Sequence, residues 1–220
     1  NHSSTHLLHQ ALREVVGDHV KQAGSRVSDQ SYRFDFNHYE AVTPAQVEEI
    51  EVRVNQLIQE NHPVTTDVLP LDEAKRRGAT ALFGEKYGAI VRMVTIGPGS
   101  KELCGGTHAG RSGDLGFSMV AAEGSISAGV RRIEAVAGLG AVKHLMTQQQ
   151  ILKSLTGALK VSDRDVVERV ERLLERNQQL ERELDRVQAK IHGSASADLT
   201  KQASVGKGGV KVVAHHVDQA

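Results

Sequence analysis

Apolar side chains recur along the first twenty residues at helical spacing. Leu7, Leu8, Leu12, Val15 and Val16 fall on one face of a helix from Ser4 to about Lys21, with Gly24 as its stop. The period then changes to two: Tyr32, Phe34 and Phe36 alternate with Ser31, Arg33 and Asp35 after a turn at Ser28 to Gln30, the pattern of a half-buried strand. Thr43 followed by Pro44 opens a second helix, which runs through Leu57 to about Glu60 and is closed by His62 and Pro63. Val64 to Leu69 reads as extended, Pro70 to Arg77 as a short helix ended by Gly78, and Tyr87 to Ile96 as a Gly-bounded strand. Glu102-Leu103-Cys104 reads as a further strand, and Gly116 to Ala122 and Val130 to Val136 as two more. These elements predict an α+β fold, a mixed sheet layered with helices.

After Gly138 the aromatic residues stop and helix formers take over. Residues 141 to 157 predict one helix, and Ser162 with Asp165 reads as a capping box for a longer one ending near Ile191. Along the longer helix Val166, Val170, Leu173, Asn177, Leu180, Leu184, Val187 and Ile191 alternate steps of four and three, a heptad seam with Leu173 and Leu180 at d and a polar Asn177 at a. An antiparallel hairpin with the preceding helix is the favoured pairing, and an intermolecular coiled coil the alternative. Residues 192 to 209 read as a polar, small-residue linker and 210 to 217 as one strand. Three regions follow: 1–138, 139–192 and 193–220.

Composition narrows the function classes. Lys plus Arg and Asp plus Glu both number 27, so no global field attracts nucleic acid, and any RNA contact relies on local basic groups such as Lys101, Arg111, Arg131 and Arg132. A single cysteine excludes an internal disulfide framework and fits the reducing cytoplasm. No apolar run approaches the length of a membrane span, and no charged-then-apolar leader opens the chain. The chain opens with Asn1, not Met, one residue before a candidate ligand, which reads as a segment of a longer chain.

The candidate chemistry lies in two short pairs, His2/His6 and Cys104/His108, each with three residues between its members. On a helix the i, i+4 spacing puts both imidazoles of the first pair on one face. In the second, Gly105 and Gly106 free the backbone to turn His108 back toward the cysteine. One thiolate with three imidazoles suits tetrahedral zinc, as a closed structural site or with an open place for water. His9 reads as packing or as support for the ligands. Ser3 stands where an HExxH metalloprotease has its glutamate base, which excludes that class. The binding cleft is expected between the first helix and the ELCGGTH turn.

The runs HSSTHLLHQALREVVGDHVKQAGSRV, RFDFNH, LFGEKYGAIVRMV, ELCGGTHAGRSGDLG and GVRRIEAVAG, in this order, resemble the editing domain of the alanyl-tRNA synthetase family. The likeness is close over about residues 1 to 140 and looser beyond. Threonyl-tRNA synthetases carry a related domain with the same two pairs, but GGTH followed by GVRRIEAV favours the alanine enzymes. Free-standing editing proteins are the nearer rival, and the long helix after residue 160 favours the full synthetase.

The resemblance implies a cytoplasmic, ATP-dependent ligase whose aminoacylation and anticodon-side modules precede this segment, with the start of a C-terminal domain after the linker. It implies a zinc-dependent esterase that removes serine or glycine wrongly attached to the alanine tRNA, its partner being the tRNA acceptor end. Thr5, in the family motif HSxTH, Gln22, a family pocket glutamine, and Cys104 become the implied catalytic residues. Arg33, Asp35, Gly105, Gly106 and Arg131 become the implied substrate contacts. A homodimer through the helices or the C-terminal domain is also implied. The non-enzymatic alternative is a zinc-stabilised module that binds tRNA or dimerises.

Overall fold

The computed structural model describes residues 1–81, 87–201, 204–206, 208, 209 and 211–213, with the backbone alone over 192–201. The element order is α1 (His2–Val15), β1 (Gln22–Val27), β2 (Tyr32–Asn37), α2 (Pro44–Gln59), β3 (Val64–Pro70), α3 (Leu71–Arg76), β4 (Ile90–Ile96), β5 (Ser100–Leu103), β6 (Ser118–Ser127), β7 (Val130–Ala137), α4 (Leu139–Leu159), α5 (Val166–Lys201), β8 (Ser204–Val205) and β9 (Lys211–Val212). The α+β class holds. Strands β1 to β7 form two antiparallel sheets in place of one mixed sheet, ordered β1-β2-β7-β6 and β3-β4-β5, and among the described residues the one parallel bridge joins Thr80 and Glu102. Part of the LFGEKYG run, residues 82–86, lies outside the described residues.

The alternation in β2 sends Tyr32, Phe34 and Phe36 into the main core, where they meet Leu7, Leu8 and Leu12 of α1, Ile50, Val54 and Leu57 of α2, and Ile133 of β7. Each such side chain contributes roughly 1.5–3 kcal/mol by leaving water. Leu69, Ala74, Val91, Met93 and Leu103 make a smaller core under the three-stranded sheet. Helix α1 packs on β2 and also on β5, so its first turns lie where the two sheets approach one another.

Several boundaries differ from the sequence expectation. Helix α1, expected to run to about Lys21, ends at Val15 because Gly17 turns the chain with φ of +133°, and residues 22–27 form β1. Gly24 stops no helix; it sits opposite Asp35, whose carboxylate would press on any Cβ there at 3.3 Å. Ser162 makes no backbone cap: its hydroxyl donates to the Asp165 carboxylate at 2.6 Å across a 3-10 turn. The capping box forms at α2 instead, where Thr43 and Gln46 satisfy each other's backbone N–H groups. Residues 192–201, read as linker, continue α5, since extending an existing helix costs far less than starting one. The expected C-terminal strand pairs as β9 with β8 in a small hairpin, and its end from residue 214 lies outside the described residues.

The chain divides into two compact units, Asn1–Gln149 and Gln150–Ala220. On α5 the seam side chains Val170, Leu173, Asn177, Leu180, Leu184, Val187 and Ile191 are all exposed. No helix among the described residues is long and apolar enough to cross a membrane.

Candidate metal centre

Helix α1 delivers His2 and His6 from successive turns, and the exit of β5 delivers Cys104, with His108 four residues on. One ligand atom from each of the four side chains lies within 4.8 Å of the others, the one such group of His, Cys and acidic residues among the described residues. A tetrahedral zinc has bonds of roughly 2.0–2.3 Å, so the four donors are gathered to nearly the size of one coordination shell.

In His6 and His108 the outer nitrogen has a partner that leaves the inner one to face the cluster. Nδ1 of His6 lies 2.8 Å from Glu102 Oε2, and Nδ1 of His108 lies 3.1 Å from Ser3 Oγ, which also accepts the N–H of Ala109. Nε2 of His108 is buried and makes no hydrogen bond of good geometry. Nε2 of His2 lies 3.4 Å from Cys104 Sγ. A buried, unpartnered imidazole nitrogen beside a thiolate and two further imidazoles is a donor set suited to zinc.

Burial pushes the Cys104 thiol up, but hydrogen bonding with His108, His2 and His6 overrides this and holds it down to about 3. For His6, burial acts to lower the pKa, yet Cys104 and Glu102 raise it to about 9. Burial likewise acts to raise Glu102, and hydrogen bonds from His6 and His9 hold it down to about 2. The cysteine is thus a thiolate throughout the physiological range, the form that ligates.

Two residues that spacing alone did not mark complete the arrangement. Arg92 on β4 accepts the Cys104 N–H on its carbonyl, while its guanidinium Nη1 donates to the carbonyls of Cys104, 2.8 Å, and Gly106, 2.6 Å, clamping the turn from both sides. Glu102 is buried between His6 and His9.

A small cleft of about 50 Å³ opens beside the cluster, lined by His2, Thr5, His6, Gln22, Ser25, Glu102, Leu103 and Cys104. Of the residues expected from the sequence, Thr5 and Gln22 therefore reach the site. The Thr5 hydroxyl donates to Asn1 O at 3.1 Å, and Gln22 Nε2 donates to Ser25 Oγ at 3.1 Å. Gly106 backs onto His2, while Gly105 faces open space. Arg33, Asp35 and Arg131 do not line the cleft. Arg132 grips Asp35 with two bonds of 2.7 and 2.9 Å, Arg33 stands 3.7 Å from the same carboxylate, and Arg131 is held by two bonds of 2.7 Å to Glu123. Among the other basic candidates, Arg111 is spent on Asn61 and Lys101 donates to Arg77 O.

Comparison with known proteins bears on this arrangement. Residues 91–134, which contain Arg92, Glu102, Cys104 and His108, match the model of the threonyl and alanyl tRNA synthetase second additional domain. An alanine–tRNA ligase of Methylococcus capsulatus is 50% identical over 214 residues, 97% of this chain. Over nearly its whole length the chain matches a segment of the alanyl-tRNA synthetases. The alanine–tRNA ligases of Pseudomonas fluorescens and Haemophilus influenzae are each 48% identical, over 99% of the chain. In all three the chain spans 25% of the relative's length. The HxxxH and CxxxH pairs, drawn from a helix and a strand exit far apart in sequence, converge in one cluster beside the cleft.

Proposed function

We propose that this chain is the editing part of an alanyl-tRNA synthetase and hydrolyses serine or glycine wrongly esterified to the alanine tRNA. The observation that carries the reading is the convergence of His2, His6, Cys104 and His108 into one cluster, beside a small cleft that Thr5 and Gln22 also line. A synthetic pocket shaped for alanine rejects glycine by one methyl group, worth roughly 1–3 kcal/mol, and discriminates a serine hydroxyl no better. A second, hydrolytic sieve supplies the missing selectivity.

His2, His6, Cys104 and His108 would hold the zinc, which when bound supplies a Lewis acid for orienting the substrate's amino group or lowering the pKa of water. The chain's own groups do the rest. The cleft admits only a small side chain, and Thr5 Oγ1 and the Gln22 amide are the polar groups available to a serine hydroxyl. Arg92 keeps the Cys104–Gly106 carbonyls tied to β4, so the turn is fixed before the acceptor end arrives. In the reaction water adds to the ester carbonyl, the bond to the terminal ribose oxygen breaks, and that oxygen leaves with a proton. The partner is the acceptor end of the alanine tRNA. The exposed α5 seam adds a second proposal, a contact with another copy of the chain.

The test is the release of serine from seryl-tRNA(Ala) by the wild type and by Cys104→Ala. The variant should fall to the uncatalysed rate with its far-UV circular dichroism unchanged. A folded Cys104→Ala that hydrolyses like the wild type removes the cluster from the reaction.

A further inference from the structure

Glu102 lies on β5 two residues before Cys104 and is 7% exposed. Its two oxygens go to two different imidazoles: Oε2 lies 2.8 Å from Nδ1 of His6, and Oε1 lies 2.8 Å from Nδ1 of His9. His6 and His9 are three residues apart, hence on one face of α1. His9 itself is 2% exposed, and its ring packs against Phe34 of β2 with centroids 5.0 Å apart. His9 lies outside the converging donor set, and its Nε2 is buried with no hydrogen-bond partner.

A carboxylate bonded to one imidazole is free to rotate about its own axis and carry that ring with it. A second bond to a ring fixed in the core removes the freedom. We propose that His9 and Glu102 form a positioning relay for the metal centre: Phe34 seats His9, His9 fixes Glu102, and Glu102 fixes the His6 ring so that its remaining nitrogen faces Cys104. The relay rests on the metal reading above. The outer partner of a metal-ligating histidine sets its tautomer and orientation, and losing it costs on the order of 10–100-fold in metal affinity. Here that partner is itself held by a further histidine, so the support reaches from the ligand to the core of the four-stranded sheet.

The experiment measures zinc affinity of the whole chain by competition with a chromophoric chelator, for the wild type, Cys104→Ala, Glu102→Gln, His9→Leu and the double variant. Failure of the wild type to bind zinc, or wild-type affinity in Cys104→Ala, defeats the metal reading itself. With that reading intact, Glu102→Gln should bind about 10–100-fold more weakly. His9→Leu should lose affinity in the same direction, and the double variant should be no worse than Glu102→Gln, because links of one chain are not additive. With cobalt in place of zinc, the sulfur-to-metal charge-transfer band should persist in both single variants while the ligand-field bands change. A folded Glu102→Gln with wild-type affinity overturns the relay, as do fully additive losses. Should Glu102→Gln not fold, His9→Leu decides alone, and wild-type affinity there is contrary to the relay.

Discussion

Gly106 shows how tightly single positions are set around the cluster. A Cβ at this residue would stand 2.0 Å from Cε1 of His2, whereas one at Gly105 meets nothing within 4 Å. Gly106→Ala should therefore push His2 from the cluster and weaken zinc binding on the order of tenfold or more, and Gly105→Ala should leave it unchanged in the same chelator competition. Tyr32, buried on β2, offers a separate titration. Burial pushes its phenol up to about 12, its hydroxyl lying 2.6 Å from Ser118 Oγ. A raised folded-state pKa means that this stabilisation is complete below the unfolded value near 10 and is lost as pH rises through about 12. Absorbance titration of the tyrosinates should show one late step that disappears in Tyr32→Phe. At neutral pH that variant should lose about 1 kcal/mol with its hydrogen bond. A Tyr32 that titrates at the ordinary tyrosine value near 10 contradicts the burial argument.

Local signals were legible in the sequence at the scale of elements, and non-local pairings were not. Thr43, Pro44 and Gln46 announce α2 because each acts within one turn, and the aromatic alternation announces β2 because its period is two. The end of α1 was misread because Val15 and Val16 prolong the helical pattern while one glycine dihedral overrides it. Partition of the strands into two sheets depends on pairings such as β2 with β7, separated by some hundred residues, which no spacing encodes. The four donors stood out because metal-ligand types came in matched pairs. Glu102 and Arg92 carry no such mark, since one acid or one arginine in a strand has no spacing to read. The α5 seam follows the same logic: its heptads were visible, but its partner lies outside the sequence pattern. Its exposure predicts self-association through α5, with Asn177 pairing with its symmetry mate at position a. Sedimentation across a concentration series should show a dimer for the wild type, and Asn177→Leu should be more stable and shift toward higher oligomers. A wild type that stays monomeric at every concentration rejects the self-association.

In the first unit as a whole, the cluster joins parts that lie far apart along the chain. His2 and His6 ride on α1, which packs against the four-stranded sheet, while Cys104 and His108 follow the last strand of the three-stranded one. The donors therefore converge only when both sheets are assembled on α1, and a bound ion would favour that assembled state. The cleft beside the cluster is small, about 50 Å³, which under the proposed function suits a sieve for small side chains. The decisive measurement is the single-turnover hydrolysis of seryl-tRNA(Ala) and alanyl-tRNA(Ala) by the zinc-loaded chain at equal concentrations. The account predicts rapid loss of serine and retention of alanine; equal rates for the two esters, or no hydrolysis of either, would contradict it.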